Sequence, residues 1–289
     1  MNNTSCITSC IFTIIKDERE YIEEFIRYHL NLGIDHIFIF EDTGSVSHKD
    51  IVDKISTDRV TLNSIDMFSF GEYKERYKEI CKRIPKLAPD NNWESKRQFV
   101  YNKEGLDWVK NNFNYDWCFA IDCDEYITLE DDSKSLGEVL NMYSDYEAIV
   151  LSWQNYNANG YINKPDYKKN GGIIQTYTQT CDKTPGDAYW RNAKVVFRIG
   201  KFKKNYYRGH HLCSDIHNWV KSDFSKDHNK PIYKNIYIRH YITKSWEKYY
   251  WKLNTRGMFH KTHRKLNDFF IMNPDMMNMK DELLEKYAK

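Results

Sequence analysis

Residues 10–42 read CIFTIIKDEREYIEEFIRYHLNLGIDHIFIFED, and this stretch decides the fold class. Cys10-Ile11-Phe12-Thr13-Ile14-Ile15 is apolar without alternation, the pattern of a strand covered on both faces. Asp17 with Glu20 three residues on has the spacing of a capping box, with Asp as N-cap. Tyr21, Ile22, Phe25, Ile26, Leu30 and Leu32 then recur at helical spacing, and Gly33 suits the left-handed position that closes a helix. His36-Ile37-Phe38-Ile39-Phe40 is a second buried-type strand, and it ends in the polar loop Glu41-Asp42-Thr43-Gly44-Ser45. Strand, helix and strand in this order, with non-alternating strands, predict an α/β domain with a mainly parallel sheet.

The remainder of the first half continues the pattern. Val60–Ile65 is a third, weaker strand; residues 71–92, with Pro85 and Pro89, are helix, loop or lid. Glu94–Lys110 predicts a helix with Phe99, Val100, Leu106 and Val109 on one side. Trp117-Cys118-Phe119-Ala120-Ile121 is another buried-type strand, stopping at Asp122-Cys123-Asp124-Glu125. Ser135–Tyr143 reads as a short helix and Ala148–Trp153 as a strand. From residue 156 to 190 Gly, Asn, Pro and Tyr dominate, which predicts loops and hairpins lining one side of a cleft. Val195–Ile199 and Ile236–Ile238 read as strands, Trp246–Leu253 and Asp281–Lys289 as helices. There is no internal repeat.

Composition narrows the class. A chain of 289 residues fits one large domain or two small ones. Its 43 Lys and Arg against 41 Asp and Glu, a net +2, argue against a nucleic-acid coat protein. No window approaches the ~18 apolar residues of a transmembrane helix, and the N-terminus lacks the pattern of a secretory signal. The seven cysteines are odd in number and contain no C-x-x-C, so neither a disulfide framework nor a zinc knuckle is expected. Reduced, packed cysteines and a cytoplasmic setting follow. The 22 Tyr, 15 Phe and 8 Trp mainly fill a core, with some aromatic surface available to stack on sugars.

The chemistry concentrates at strand ends. Three strands end in acids: Asp17, Glu41 with Asp42, and Asp122 with Asp124. Ligands of parallel sheets bind at that rim. Asp122-x-Asp124 places two hard oxygen donors where one Mg²⁺ or Mn²⁺ can bind and take its other ligands from water and substrate phosphates. The same pattern elsewhere is commonly a solvated turn or cap. Glu125 either caps the following turn or supports the pair. His240, after a strand, is a third metal ligand through neutral imidazole, with His210, His211 and the Asp215-x-His217 pair as alternatives. Residues 239–265 carry eight Lys or Arg against Glu247 alone, a basic segment suited to a diphosphate, a polyanionic glycan or peripheral contact with an anionic membrane.

Several of these motifs together resemble a known group of enzymes. Phe12–Glu18, Tyr21-Ile22-x-Glu24, Tyr28-His29-x-x-x-Gly33 and Ile34–Asp42 resemble the opening of family 2-like and family 92-like glycosyltransferases. Asp122-Cys123-Asp124-Glu125-Tyr126 is similar to their D-x-D-E-[FY] motif. His240-Tyr241-x-x-Lys244-Ser245-x-Glu247, followed by Arg256-Gly257, resembles their C-terminal signature. Trp153 and Gly160 fall in a W-x-x-F-G-x-x-G-like stretch, where this chain departs with Tyr156-Asn157. The resemblance runs from about residue 10 to about residue 257.

It implies a GT-A-like single domain: residues 1–152 as the nucleotide-sugar-binding half and residues 153–289 as the acceptor-side half with basic helices. It also implies inversion at the anomeric carbon, a Mn²⁺ or Mg²⁺ cofactor and a UDP-sugar donor, UDP-galactose first. By carry-over Asp124 coordinates the metal, and Asp122 meets the ribose or metal-bound water. Glu41 or Asp42 meets the nucleoside, and Asp17 or Glu18 lines the base pocket. Gln98 and Asn102, four apart on one helix face, reach the nucleotide. Lys244 and Arg256 neutralise the diphosphate. Inverting transfer to a glycan hydroxyl needs a carboxylate base on the acceptor side. Asp187, within Thr184-Pro185-Gly186-Asp187-Ala188-Tyr189-Trp190, is the expected base, with Asp182 and Asp215 close behind. Trp153, Tyr156 and Trp190 are expected to stack on sugar rings. A nucleotidyltransferase would carry a Gly-rich phosphate loop, and residues 10–20 contain no Gly. A phosphohydrolase would need more His and Asp ligands in the first half. A non-catalytic glycan binder would explain the aromatics but not the acids at three strand ends.

Overall fold

The apolar run at the start of the chain forms strand β1 (Ser9–Ile15), and the rest of the sheet is arranged around it. The computed structural model describes residues 7–42, 46–55, 57–67, 93–181, 193–203, 216–226, 231–255 and 265–287. β1 pairs in parallel with β2 (His36–Glu41) on one side and with β4 (Trp117–Ala120) on the other. β2 pairs in parallel with β3 (Val60–Ser64) at the edge. β1, β2 and β4 are therefore interior strands covered on both faces, which is why their sequences do not alternate.

Beyond β4 the sheet becomes mixed. β7 (Ala193–Arg198) runs antiparallel between β4 and β6 (Ala148–Asn155). The other edge of β6 is divided: Ala148–Val150 pair with β8 (Trp219–Lys221), and Trp153–Asn155 pair with β9 (Ile236–His240). β5 (Glu125–Leu129) closes the far edge against β9. Among the described residues five of the eight strand pairings are parallel, so the expected mainly parallel α/β sheet is present.

Helices cover both faces. Helix α1 (Ile22–Leu32) and helix α4 (Leu136–Asn141) bury Phe25, Ile26, Val139 and Leu140 against Ile11, Ile37, Trp117 and Phe119. On the opposite face Leu106 and Val109 of helix α3 (Trp93–Asn112) meet Cys10, Phe12, Phe38 and Cys118. Helix α2 (Lys49–Ile55) links β2 to β3 and packs beside α1. A third cluster joins helix α6 (Trp246–Thr255), helix α7 (Leu266–Met272) and helix α8 (Lys280–Tyr287) through Trp246, Tyr249, Phe269, Phe270 and Leu283. Residues 156–181 are irregular apart from the single turn α5 (Ile173–Thr176), as their composition suggests. No helix among the described residues is long and apolar enough to cross a membrane.

Two expectations need correction. Asp17 does not cap a helix: it takes a left-handed backbone conformation (φ 56°), and α1 begins after Tyr21, with no side-chain cap. The carbonyl of Glu18 instead accepts the N–H groups of Tyr21 and Ile22. The D-x-D motif is followed directly by a strand, β5, rather than by a plain turn. β8 and α7 were not legible as elements either. Gly33, by contrast, closes α1 in the left-handed region (φ 107°) as expected.

One glycine reports how tightly α3 sits on the sheet. A Cβ at Gly105 would overlap the ring of Phe12, which is fully buried. Gly→Ala inside a helix ordinarily gains up to ~1 kcal/mol. Overpacking a core costs about 1–3 kcal/mol, so the clash wins. Gly105→Ala is expected to lower the stability measured by urea unfolding by about 1–2 kcal/mol, where an exposed helical Gly→Ala would raise it.

Candidate active site

The site is assembled where β4 stops. Ile121 leads into Asp122, and the turn closes on itself: the Glu125 N–H donates to the Asp122 carbonyl at 3.0 Å, and Glu125 Oε2 accepts the Asp122 N–H at 3.0 Å. β5 starts at that glutamate. Its first residue lies opposite His240 on β9, and His240 lies opposite Asn155 on β6. Strand register thus carries His240 to the D-x-D turn across more than a hundred residues of sequence, and the Tyr241 N–H donates to the Asp124 carbonyl at 3.0 Å.

Asp124 is the centre of charge. Its Oδ2 accepts from Lys244 Nζ at 2.5 Å and Lys252 Nζ at 3.2 Å. Its Oδ1 faces His240 Nε2 at 3.9 Å. Burial by itself would raise the Asp124 pKa, but Lys244, Lys252 and His240 hold it well below the usual carboxylate range. His240 Nδ1–H donates to Asn155 Oδ1 at 3.0 Å, which orients the ring with Nε2 toward Asp124. Lys244 itself sits in a left-handed conformation (φ 55°) just before α6.

Asp122 has its own cation. Lys194 on β7, only 1% exposed, donates to Asp122 Oδ2 at 2.9 Å and lies 3.2 Å from Glu125 Oε2. Burial would lower the Lys194 pKa, but the two carboxylates raise it. Glu125 is fully buried; burial pushes its pKa well above the ordinary value, against the pull of Lys194. The Trp153 ring lies 4.3 Å from the His240 ring, and Lys194 Nζ is 5.8 Å from the Trp153 ring centroid. Of the residues chosen from sequence, Asp122, Asp124, His240, Lys244 and Trp153 therefore come together.

A second polar group forms at the ends of β1 and β2. Glu41 Oε1 accepts the N–H and Nδ1–H of His48, both at 2.6 Å, while His48 Nε2 accepts the Glu18 N–H at 3.2 Å. Asp42 bonds through its N–H to the Ile15 carbonyl and lies 3.6 Å from Lys16 Nζ. His48 thereby ties the turn containing Asp17 and Glu18 to Glu41. Asn102 is buried on α3, and Tyr156 is packed against the Tyr241 ring with 8% of its surface exposed. The side chain of Gln98 and all of Asp182, Asp187, Trp190, His210, His211, Asp215 and Arg256 lie outside the described residues.

Sequence reasoning missed the parts played by Lys194, Lys252 and His48. Lys194 had a signal: a lysine inside Ala193-Lys194-Val195-Val196-Phe197 is buried only if it is paired. Lys252 had no such signal, because Lys244 lies before α6 and helical spacing does not link the two. No cluster of three His, Cys, Asp or Glu side chains able to hold a metal ion is present among the described residues. Asp124 Oδ1 and His240 Nε2 are a two-ligand set whose separation one small cation can bridge, as suits ions that take the rest of their shell from phosphate and water.

The profile of glycosyltransferase family 92 matches residues 5–278. The chain belongs to that family. It is a glycosyltransferase. No curated protein matches this family 92 chain. Among solved structures it is similar to HddC from Yersinia pseudotuberculosis, at 8% identity over 84% of this chain and 97% of that one, with a TM-score of 0.38. It is also similar to a putative nucleotide-diphospho-sugar transferase from Desulfovibrio desulfuricans, at 11% identity over 96% and 97% of the two chains, with a TM-score of 0.36.

One stretch singled out in the sequence receives a structural explanation. His29, in Tyr28-His29-x-x-x-Gly33, is fully buried; Nδ1–H donates to the Phe25 carbonyl at 2.8 Å, and Nε2 accepts the Ile127 N–H at 3.2 Å. It pins α1 to β5, the strand that begins at the D-x-D turn. The rings of Phe25, Tyr28 and Tyr126 enclose it. Burial pushes its pKa down from 6.5 to about 3, partly offset by the bond to Phe25. The unfolded chain therefore binds a proton between those values that the folded chain refuses. The stabilisation is full above pH 6.5 and is lost as pH falls toward 3, by roughly 3 kcal/mol at pH 4. In urea titrations His29→Gln is expected to be less stable than the wild type at pH 7.5, with the gap narrowing steadily toward pH 4.

Proposed function

We propose that this glycosyltransferase is an inverting, metal-dependent enzyme that moves a sugar from a nucleotide-sugar donor to a hydroxyl of a glycan or glycoconjugate acceptor. UDP-sugars are the preferred donor class, UDP-galactose first. The observation that supports this reading best is the convergence on Asp124: an imidazole nitrogen faces one carboxylate oxygen and two ammonium groups hold the other. Paired charges of this kind, at the carboxyl end of a parallel strand, suit a diphosphate leaving group.

In this reading residues 1–152 bind the nucleotide sugar and residues 153–289 the acceptor. Asp124 and His240 hold Mn²⁺ or Mg²⁺, with Asp122 beside them, and the ion when bound offsets the charge that grows on the departing diphosphate. Asp122, held by Lys194, also meets the ribose or a metal-bound water. Asp17, Glu18, Glu41 and Asp42 surround the nucleoside, with Asn102 and Gln98 approaching from α3. Lys244 and Arg256 contact the diphosphate. Trp153 stacks on the sugar ring, with Tyr156 and Trp190 on the acceptor side. A carboxylate, Asp187 first, with Asp182 and Asp215 next, takes the proton of the acceptor hydroxyl as its oxygen bonds to the anomeric carbon and the bond to the diphosphate breaks. The reaction is placed in the cytoplasm, with the basic residues 239–265 available to an anionic membrane surface or glycan.

The test is thermal unfolding of the protein with UDP, GDP, CMP and TDP, each with and without Mn²⁺. UDP with Mn²⁺ is expected to stabilise the fold by about 2.7 kcal/mol at a hundredfold excess over its dissociation constant, and Asp124→Ala is expected to abolish the part of the shift that requires Mn²⁺. No shift with any nucleotide would overturn the reading in favour of a glycan-binding relative without catalysis. Asn155→Ala frees the His240 ring to turn. It is expected to raise the Mn²⁺ concentration needed for half the UDP-dependent shift by about tenfold or more.

A further inference from the structure

The arrangement of Lys244 and Lys252 carries more than a salt bridge would. Their ammonium groups converge on the same atom, Asp124 Oδ2, at 2.5 and 3.2 Å. The side chains of both are nearly covered, at 0% and 8% exposure, while that of Asp124 is 14% exposed. Lys248, one turn before Lys252 on α6, lies 3.8 Å from Glu20 Oε2. Two ammonium groups drawn this close repel each other, and a single carboxylate oxygen is the smallest anion that can hold them together. A diphosphate offers several charged oxygens to the same pair, and lysine serves phosphate as a point-charge donor.

We propose that Lys244 and Lys252 form a diphosphate cradle that works without a divalent cation, and that the Asp124 carboxylate competes with the diphosphate for it. This deepens the nucleotide-sugar reading above and rests on it. Lys252 becomes a binding residue alongside Lys244, and Asp124 acquires a second part besides facing His240: its charge holds the two lysines in place and opposes the incoming anion. The competition gives the proposal a sign that a purely metal-mediated diphosphate site lacks. Neutralising Asp124 must strengthen cation-free binding of a diphosphate, although the same change removes a ligand from the cation.

The experiment is calorimetric titration of the full chain with inorganic pyrophosphate in EDTA at low ionic strength. The wild type is expected to bind, and to bind more weakly as salt rises. Asp124→Asn is expected to bind about threefold more tightly or better, and Lys252→Gln about tenfold more weakly, with Lys252→Arg recovering part of the loss. A chain that fails to fold cannot gain affinity, so the Asp124→Asn arm separates the effect from damage to the fold. Absence of binding in EDTA, or Asp124→Asn binding no better than wild type, overturns the cradle. If pyrophosphate behaves as expected while no nucleotide shifts unfolding with or without Mn²⁺, the cradle stands and the nucleotide-sugar reading falls. If UDP binds only with Mn²⁺ and pyrophosphate does not bind in EDTA, the cradle alone falls.

Discussion

A carboxylate taken out of water must be paired or give up its charge. Asp124 meets that constraint with groups from three separate places in the chain: the imidazole of His240 at the end of β9, and the ammonium groups of Lys244 in the following turn and Lys252 on α6. Delivering them explains much of the C-terminal third. β9 must lie between β6 and β5 for His240 to reach the turn after β4. The chain must then reverse sharply, which Lys244 does by entering the left-handed region. α6 must hold its angle, which Trp246, Tyr249 and Leu253 secure by packing on α7 and α8. The aromatic cluster is therefore core in the ordinary sense and also what aims two lysines.

The D-x-D turn is held from the N-terminal side as well. Glu125 reaches back to the Asp122 N–H, Lys194 bridges Glu125 and Asp122, and His29 fixes β5 two residues further on. The Glu125–Asp122 bond lies within the turn itself, whereas Lys194 and His29 come from distant parts of the chain. α1, β7 and β9 each contribute one group, so the turn keeps its shape only when the whole sheet is closed. A loop so constrained pre-arranges its carboxylates, and less ordering remains to be done when a ligand arrives.

What the sequence made legible follows from this division. β1, β2 and β4 were readable because interior parallel strands leave apolar runs, and the D-x-D pair was readable because both acids sit within three residues. Asp17 was misread because a capping box looks the same whether or not the backbone turns left-handed beneath it. β5 was hidden because its leading glutamate belongs to the site and points inward. Lys194, Lys252 and His48 owe their roles to register and helix placement, which link positions far apart in sequence. The sequence could name the carboxylates and Lys244, whereas the pairing of these groups with one another and with Lys194 and Lys252 is defined only by the folded sheet.

Stability alone does not account for these buried ions. Removing a lysine and a carboxylate from water costs several kcal/mol per ion, and well-packed apolar residues of the same volume often serve a fold equally well or better. Lys194 beside Glu125, and Lys244 and Lys252 with Asp124, would on that ground be poor choices for a structural core. Two lysines on one oxygen are poorer still, because their mutual repulsion offsets part of what each gains. Such a cluster suits a chain that must hold charges apart from water and then hand them to an anion. Lysine fits that exchange better than arginine, whose planar fork would commit both of its donors to the carboxylate already there.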